Sequence, residues 1–313
     1  MSTVATTPET ILRDLQNQWE ALAHEEAKTG GVLRACAMTL VVAARNAEES
    51  LDARQTAGLL MRVHPSRAII VHPGKGEFEA RVFAECWKPM GRAQQICSEG
   101  IEIIAGKGGF SEVAKFLVPL RVPDLPVVLW CRGVAPSDTS GYHPLFPLAD
   151  KIIFDTQAVR DPEESLRSLR RLHAYGMRVA DLHWTRLSGW REVVAHLFDE
   201  GLKAKDIRLA RITYGGDSIT TCARYFEAWV RSSLPLARVS IEPEYGPPGL
   251  FSVTVSTPKG DLTVKRDNDH ALLIEGPGLN YRTGLPSISE AALMQEELGI
   301  LGADSVYERV LNA

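Results

Sequence analysis

Val127-Val128-Leu129-Trp130-Cys131 is an unbroken apolar run, closed by Pro126 on one side and by Arg132-Gly133 on the other. A run with no polar alternation suits a strand covered on both faces, near the middle of a sheet. Phe110 to Val122 before it reads as a helix. The connector Pro123-Asp124-Leu125-Pro126 stops that helix, because proline removes a backbone donor and restricts the residue before it. A helix feeding a buried strand is the signature of a βαβ unit, so this stretch points to an α/β fold with a parallel sheet.

The same rhythm repeats through the first half. Ala35 to Ala44 reads as a buried strand, Ala47 to Val63 as a helix and Ala68 to His72 as the next strand. Phe78 to Trp87, Ile101 to Ala105 and Lys151 to Asp155 are further strands, and Thr7 to Lys28 carries apolar positions at helical spacing behind Thr7-Pro8. Asp161 to Tyr175 is a helix that Gly176 ends. The second half changes character. A strand over Ile207 to Tyr214 and a helix from a cap at Asp217 to Arg231 precede four short strands, Arg238 to Glu244, Leu250 to Ser256, Leu262 to Arg266 and Ala271 to Glu275. Ser287 to Leu298 opens like a capping box, and a last helix spans Ser305 to Leu311. The expectation is a doubly wound, mostly parallel N-terminal α/β domain over 1–170 and a C-terminal α+β domain over 171–313 with a largely antiparallel sheet.

With 313 residues, two domains are the natural division. A net charge of -4 argues against a role in coating nucleic acid or anionic membrane. No apolar run reaches the roughly 20 residues that span a bilayer, and the opening residues show no secretory pattern, so a cytoplasmic location is expected. Five cysteines, odd in number and without a CxxC, indicate neither a disulfide framework nor a zinc site. They read as mostly reduced and buried.

Few residues form a chemical constellation. Gly106-Lys107-Gly108-Gly109 lies between a strand and a helix, where backbone donors favour an anion, so Lys107, Gly108 and Gly109 are candidate anion ligands against the plainer reading of a tight turn. Arg67 in His64-Pro65-Ser66-Arg67 precedes a strand and reads as a structural ion pair. Asp181-Leu182-His183-Trp184-Thr185-Arg186-Leu187-Ser188-Gly189-Trp190-Arg191-Glu192 mixes aromatic and charged groups. Asp181 and His183 could pair as acid and base, but no nucleophile can be assigned beside them. Tryptophan with arginine is equally the composition of interface anchors, which makes Trp184, Arg186 and Trp190 candidate partner contacts. Trp130 and Arg132 join them, at the carboxyl end of a strand where open α/β sheets present their crevice. Scattered histidines and the absence of HExxH leave no metal site, and no cofactor loop of the GxGxxG type is present.

The order of LRACAMTLVV (33–42), HPSR (64–67), PDLPVVLWCRG (123–133), ADKIIFDT (149–156), DLHWTRLSGWRE (181–192) and ARYFEAWV (223–230) resembles the glucose-6-phosphate dehydrogenase assembly proteins, the OpcA family. Two positions depart from the family's usual pattern. Two tryptophans are common where this chain has Trp130-Cys131, and asparagine where it has His183. The resemblance implies a non-catalytic protein that binds glucose-6-phosphate dehydrogenase and promotes its assembly or activation. A sugar-phosphate- or nucleotide-binding enzyme or sensor is the competing reading.

Overall fold

The computed structural model describes residues 6–27, 31–91, 94–199 and 202–313. The chain forms two compact units, one of Met1–Asp155, Tyr175–Ala180 and Glu290–Leu301, the other of Thr156–Ala174, Asp181–Ser289 and Gly302–Ala313.

The first unit begins with α1 (Pro8–Glu26), where the Thr7 and Thr10 hydroxyls each accept the other's backbone N–H and Pro8 fills the first helical position. Ile11 and Leu15 are buried on its own unit; Lys28, expected at the helix end, lies outside the described residues. There follow β1 (Val32–Arg34), β2 (Met38–Ala43), α2 (Ala47–Met61), β3 (Ser66–Pro73), β4 (Glu79–Trp87), β5 (Gln95–Ala105), α3 (Gly109–Leu120), β6 (Val127–Cys131) and β7 (Lys151–Phe154). After α4 (Pro162–Ala174), which belongs to the second unit, β8 (Val179–Asp181) completes the sheet. Strand order is β1-β5-β3-β2-β6-β7-β8, with β4 antiparallel on β5. Setting aside β1 and β4, the six strands follow the 3-2-1-4-5-6 order of a doubly wound dinucleotide fold.

β6 lies between β2 and β7, in parallel register with Thr39 opposite Val127 and Ala43 opposite Cys131. All five of its side chains are buried. Each contributes about 1.5–3 kcal/mol relative to exposure if it has the bulk of a valine or larger. Ahead of it, Asp124 takes φ 61°, a left-handed conformation that aspartate tolerates better than most residues.

Two ionic clusters bind the first unit together. Glu99, buried on β5, accepts from Trp19 Nε1 at 2.6 Å, Arg34 at 2.8 Å and Arg67 at 2.6 Å, while Arg67 also donates to the Leu120 carbonyl at 2.6 Å. Burial works against the ionised Glu99, but these donors outweigh it and hold its pKa below the usual carboxylate range. Arg67 is thus a structural ion pair.

In the second unit come α5 (Leu182–Thr185), α6 (Ser188–Asp199), β9 (Leu209–Gly215), α7 (Thr221–Ser233), β10 (Arg238–Glu244), β11 (Gly249–Thr257), β12 (Gly260–Asn268), β13 (Ala271–Gly276) and β14 (Leu279–Gly284). The sheet runs β10-β9-β11-β12-β13-β14, parallel only between β10 and β9. Helix α8 (Glu290–Leu298) returns to the first unit, and α9 (Ser305–Leu311) closes the second, capped by Asp304. Lys151 of β7 pins the end of α8: its ammonium donates to Glu297 Oε1 at 2.5 Å and to the Glu297 and Ile300 carbonyls at 2.9 and 2.6 Å.

Several expectations are corrected. β1, β8 and β14 add strands that the sequence reading did not place; β1 and β8 span only three residues each, and β14 is largely exposed. α7 starts behind Thr220, not Asp217, and α8 starts at Glu290, three residues past the expected Ser287. Cys86 and Cys97 form a disulfide, because the antiparallel register of β4 on β5 sets them directly opposite, with Cα atoms 4.1 Å apart. Sequence spacing carries no record of that register. Cys36, Cys131 and Cys222 are free thiols.

Candidate functional site

A doubly wound sheet presents its crevice where strand order reverses, here at the carboxyl ends of β2 and β6. In a dinucleotide protein the first turn there is glycine-rich, and the following helix offers free N–H groups to a pyrophosphate. This chain puts Ala44-Arg45-Asn46-Ala47-Glu48-Glu49 at that turn. Asn46 caps α2 by accepting the Glu49 N–H at 2.9 Å, and the Glu49 carboxylate accepts the Arg45 backbone N–H at 3.0 Å and pairs with its guanidinium. Burial opposes ionisation of Glu49, yet the Arg45 hydrogen bonds prevail and hold its pKa low. Across the crevice, Gly133 sits at φ 69°, and a Cβ there would meet Arg45 Nε at 2.7 Å and Glu49 Oε1 at 3.1 Å. The Glu49 carboxylate stands where a pyrophosphate would need open donors, and it takes up the Arg45 guanidinium and backbone N–H. These residues do not fit a dinucleotide.

Arg132 is in this crevice, as its strand position implies. Its guanidinium is spent on Glu290 at 3.1 Å and the Glu49 carbonyl at 3.3 Å, and it lies 5.8 Å from the Trp130 ring centre. Trp130 itself is 0% exposed. The Lys107 turn fares no better as an anion site. A Cβ on Gly108 would meet Glu112 Oε2 at 2.4 Å, so the helix's own carboxylate already covers the start of α3. Lys107 is exposed beside it, and Gly109 takes φ 57° as a turn residue.

The tryptophans of the segment from Asp181 to Glu192 are interior, while Glu192 at its end is exposed. Trp184 and Trp190 are each 2% exposed, and Arg186 is half-buried. Trp184 packs on Tyr225 and Tyr307, donates to Asp304 at 3.3 Å and carries the Arg191 guanidinium 3.7 Å over its ring; Trp190 meets Phe226 edge-on. Side chains so placed offer no surface to a partner, which corrects the expectation of tryptophan anchors. The sequence signal was composition, and a domain core and an interface share it.

Asp181 and His183 are not an acid/base pair. The buried Asp181 carboxylate accepts the backbone N–H of His183 at 2.9 Å, both the N–H and hydroxyl of Thr156 at 3.0 and 2.6 Å, and the Tyr225 hydroxyl at 2.7 Å. Burial, reinforced by that carboxylate, pushes the Tyr225 pKa well up and keeps it a neutral donor. The His183 Nδ1 is buried without a hydrogen-bond partner among the described residues.

A family model described as glucose-6-phosphate dehydrogenase subunit N-terminal domain matches residues 57–171, and one described as the C-terminal domain of the same subunit matches 177–311. The chain belongs to the OpcA family. Among OpcA relatives, an OxPP cycle protein of Synechococcus elongatus is 25% identical over 80% of this chain and 54% of its own length. Another, from Nostoc punctiforme, is 27% identical over 58% of this chain and 41% of its own. The chain thus spans about half the length of the curated OpcA relatives it matches. Among solved structures, a mutant of Gal80p from Saccharomyces cerevisiae covers 88% of this chain and 93% of its own, at TM-score 0.54 and 10% identity, a likeness of fold alone.

Proposed function

We propose that this chain is a non-catalytic partner of glucose-6-phosphate dehydrogenase, which it binds and whose active oligomer it promotes in the oxidative pentose phosphate pathway. The observation that carries the reading is the family match across both halves of the chain. The non-catalytic part is supported by the crevice, where Glu49 and Arg45 close the position a dinucleotide would use. On this reading the chain works in the cytoplasm beside its dehydrogenase. The test mixes purified chain with the dehydrogenase of the same organism and measures complex mass by light scattering together with turnover. A heavier complex and raised turnover are expected; no complex and unchanged turnover would end the proposal.

The competing reading, a sugar-phosphate- or nucleotide-binding enzyme or sensor, has the strand order in its favour and the crevice chemistry against it. Calorimetry with glucose 6-phosphate, 6-phosphogluconate and NADP separates the two, and no heat is expected with any of them. Trp130→Ala is expected to cost about 3–5 kcal/mol of stability, as emptying a core position does, rather than to remove activation selectively.

A further inference from the structure

The two rims of the second unit's sheet are treated differently. β10, at one rim, carries Pro243 between Glu242 and Glu244, and proline and charge both deter a further strand. β14, at the other, runs Leu279-Asn280-Tyr281-Arg282-Thr283-Gly284, with neither proline nor acid. Its one charge is met within the chain, where the Arg282 guanidinium lies 3.0 and 3.3 Å from the Asp267 carboxylate. The pairing with β13 decides which backbone groups point outwards. Leu285 donates to the His270 carbonyl at 2.7 Å, and the register sets Leu272 opposite Thr283, Ile274 opposite Tyr281 and Gly276 opposite Leu279. In an antiparallel ladder every second residue bonds its neighbour strand, so Leu279, Tyr281 and Thr283 serve β13. Asn280, Arg282 and Gly284 turn their N–H and C=O groups away from it. None of those groups meets a partner among the described residues, and all three residues are exposed.

We propose that β14 is where two copies of this chain join, edge to edge and antiparallel about a twofold axis, so that their two sheets continue as one. Strand addition of this kind takes its affinity from main-chain hydrogen bonds, and the open groups of Asn280, Arg282 and Gly284 supply them. Twofold symmetry pairs the strand with itself and restricts the register. Centring the axis on Arg282 would set two guanidiniums directly opposite, which is unfavourable. Centring it on Tyr281 sets the two phenol rings opposite each other as a non-hydrogen-bonded pair, where cross-strand side chains stand closest. Asn280 then faces Arg282 of the second copy, and these two exchange backbone bonds while the amide oxygen can accept from the guanidinium. Tyr281 is 38% exposed, so it has surface to bury. A contact one strand wide is small, which makes the dimer concentration-dependent rather than permanent. The inference needs only this chain and stands apart from the dehydrogenase reading.

Sedimentation velocity on the whole chain, from about 1 to about 200 μM, is expected to pass from monomer to dimer, as small interfaces do. Arg282→Pro removes an outward N–H and spares the ladder to β13, and it should weaken association at least about tenfold. Tyr281→Lys, which sets two ammonium groups opposite each other, should weaken it similarly without touching the backbone. Tyr281→Cys under mild oxidation should give a dimer bridged at that position, located by mass spectrometry, and Arg282→Cys should bridge far more slowly. A chain that stays monomeric throughout, a dimer that neither Arg282→Pro nor Tyr281→Lys weakens, or faster bridging through Arg282→Cys would each overturn the proposal. So would β14 amides protected from hydrogen exchange only once the dehydrogenase is added, because the edge would then take a different strand. The bridging comparison leaves the backbone donors in place, so it decides the matter where Arg282→Pro fails to fold.

Discussion

Two helices of this chain begin beside a sheet, and they treat their first turns in opposite ways. α2, at the crevice of the doubly wound sheet, is capped by Asn46 and carries Glu48 and Glu49, so its N-terminal charge is met by the chain's own acids. α7, in the second unit, has no cap bond and no acid, and a thiol stands in the place of a carboxylate. The same backbone feature is a filled structural joint in one case and is left without a side-chain cap in the other. What decides between them is which side chain reaches the free donors first. A doubly wound strand order is therefore no promise of a bound nucleotide.

The comparison breaks most severely at Asp181. Its carboxylate satisfies Thr156, Tyr225 and the start of α5, so Asp181→Ala leaves several buried donors without a partner. Loss of about 3–5 kcal/mol is expected, measurable by urea denaturation. A variant as stable as the parent would show that the α7 end does not depend on this hub.

A smaller effect sharpens the contrast directly. Asn46→Ala removes a real cap bond and should cost about 1 kcal/mol, whereas Thr220→Ala removes none and should cost only about a few tenths. Equal losses of stability in the two would mean that both caps are structural.

Much of this architecture was legible in the residues. Val127 to Cys131 reads as a buried central strand because five apolar side chains in a row fit no half-exposed element, and α9 was bounded to the residue by its flanking polar positions. Long-range register was not legible. Cys86 faces Cys97 only once β4 folds back on β5, and Trp184 becomes core only once Tyr225 and Tyr307 close over it. Local periodicity fixes which residues are apolar, while the partners of a polar side chain are set by tertiary contacts that no short window holds.

The smallest effect concerns the filled end of α2. Because the folded pKa of Glu49 lies below its unfolded value, its ionised form stabilises the chain at every pH above the ordinary carboxylate range, and that contribution is lost as the pH falls through the lowered value. Arg45 is more than half exposed, so solvent screening should hold the contribution to under about 1 kcal/mol. Glu49→Gln should therefore lower stability slightly at pH 7 and converge with the parent at low pH, in paired denaturation curves. The substitution also tests whether the acid alone bars a nucleotide. Asn46 still takes the first free donor, and Arg45 still stands against Gly133. NADP should give no heat with Glu49→Gln, and measurable binding would mean that a single carboxylate separates this crevice from a functional dinucleotide site.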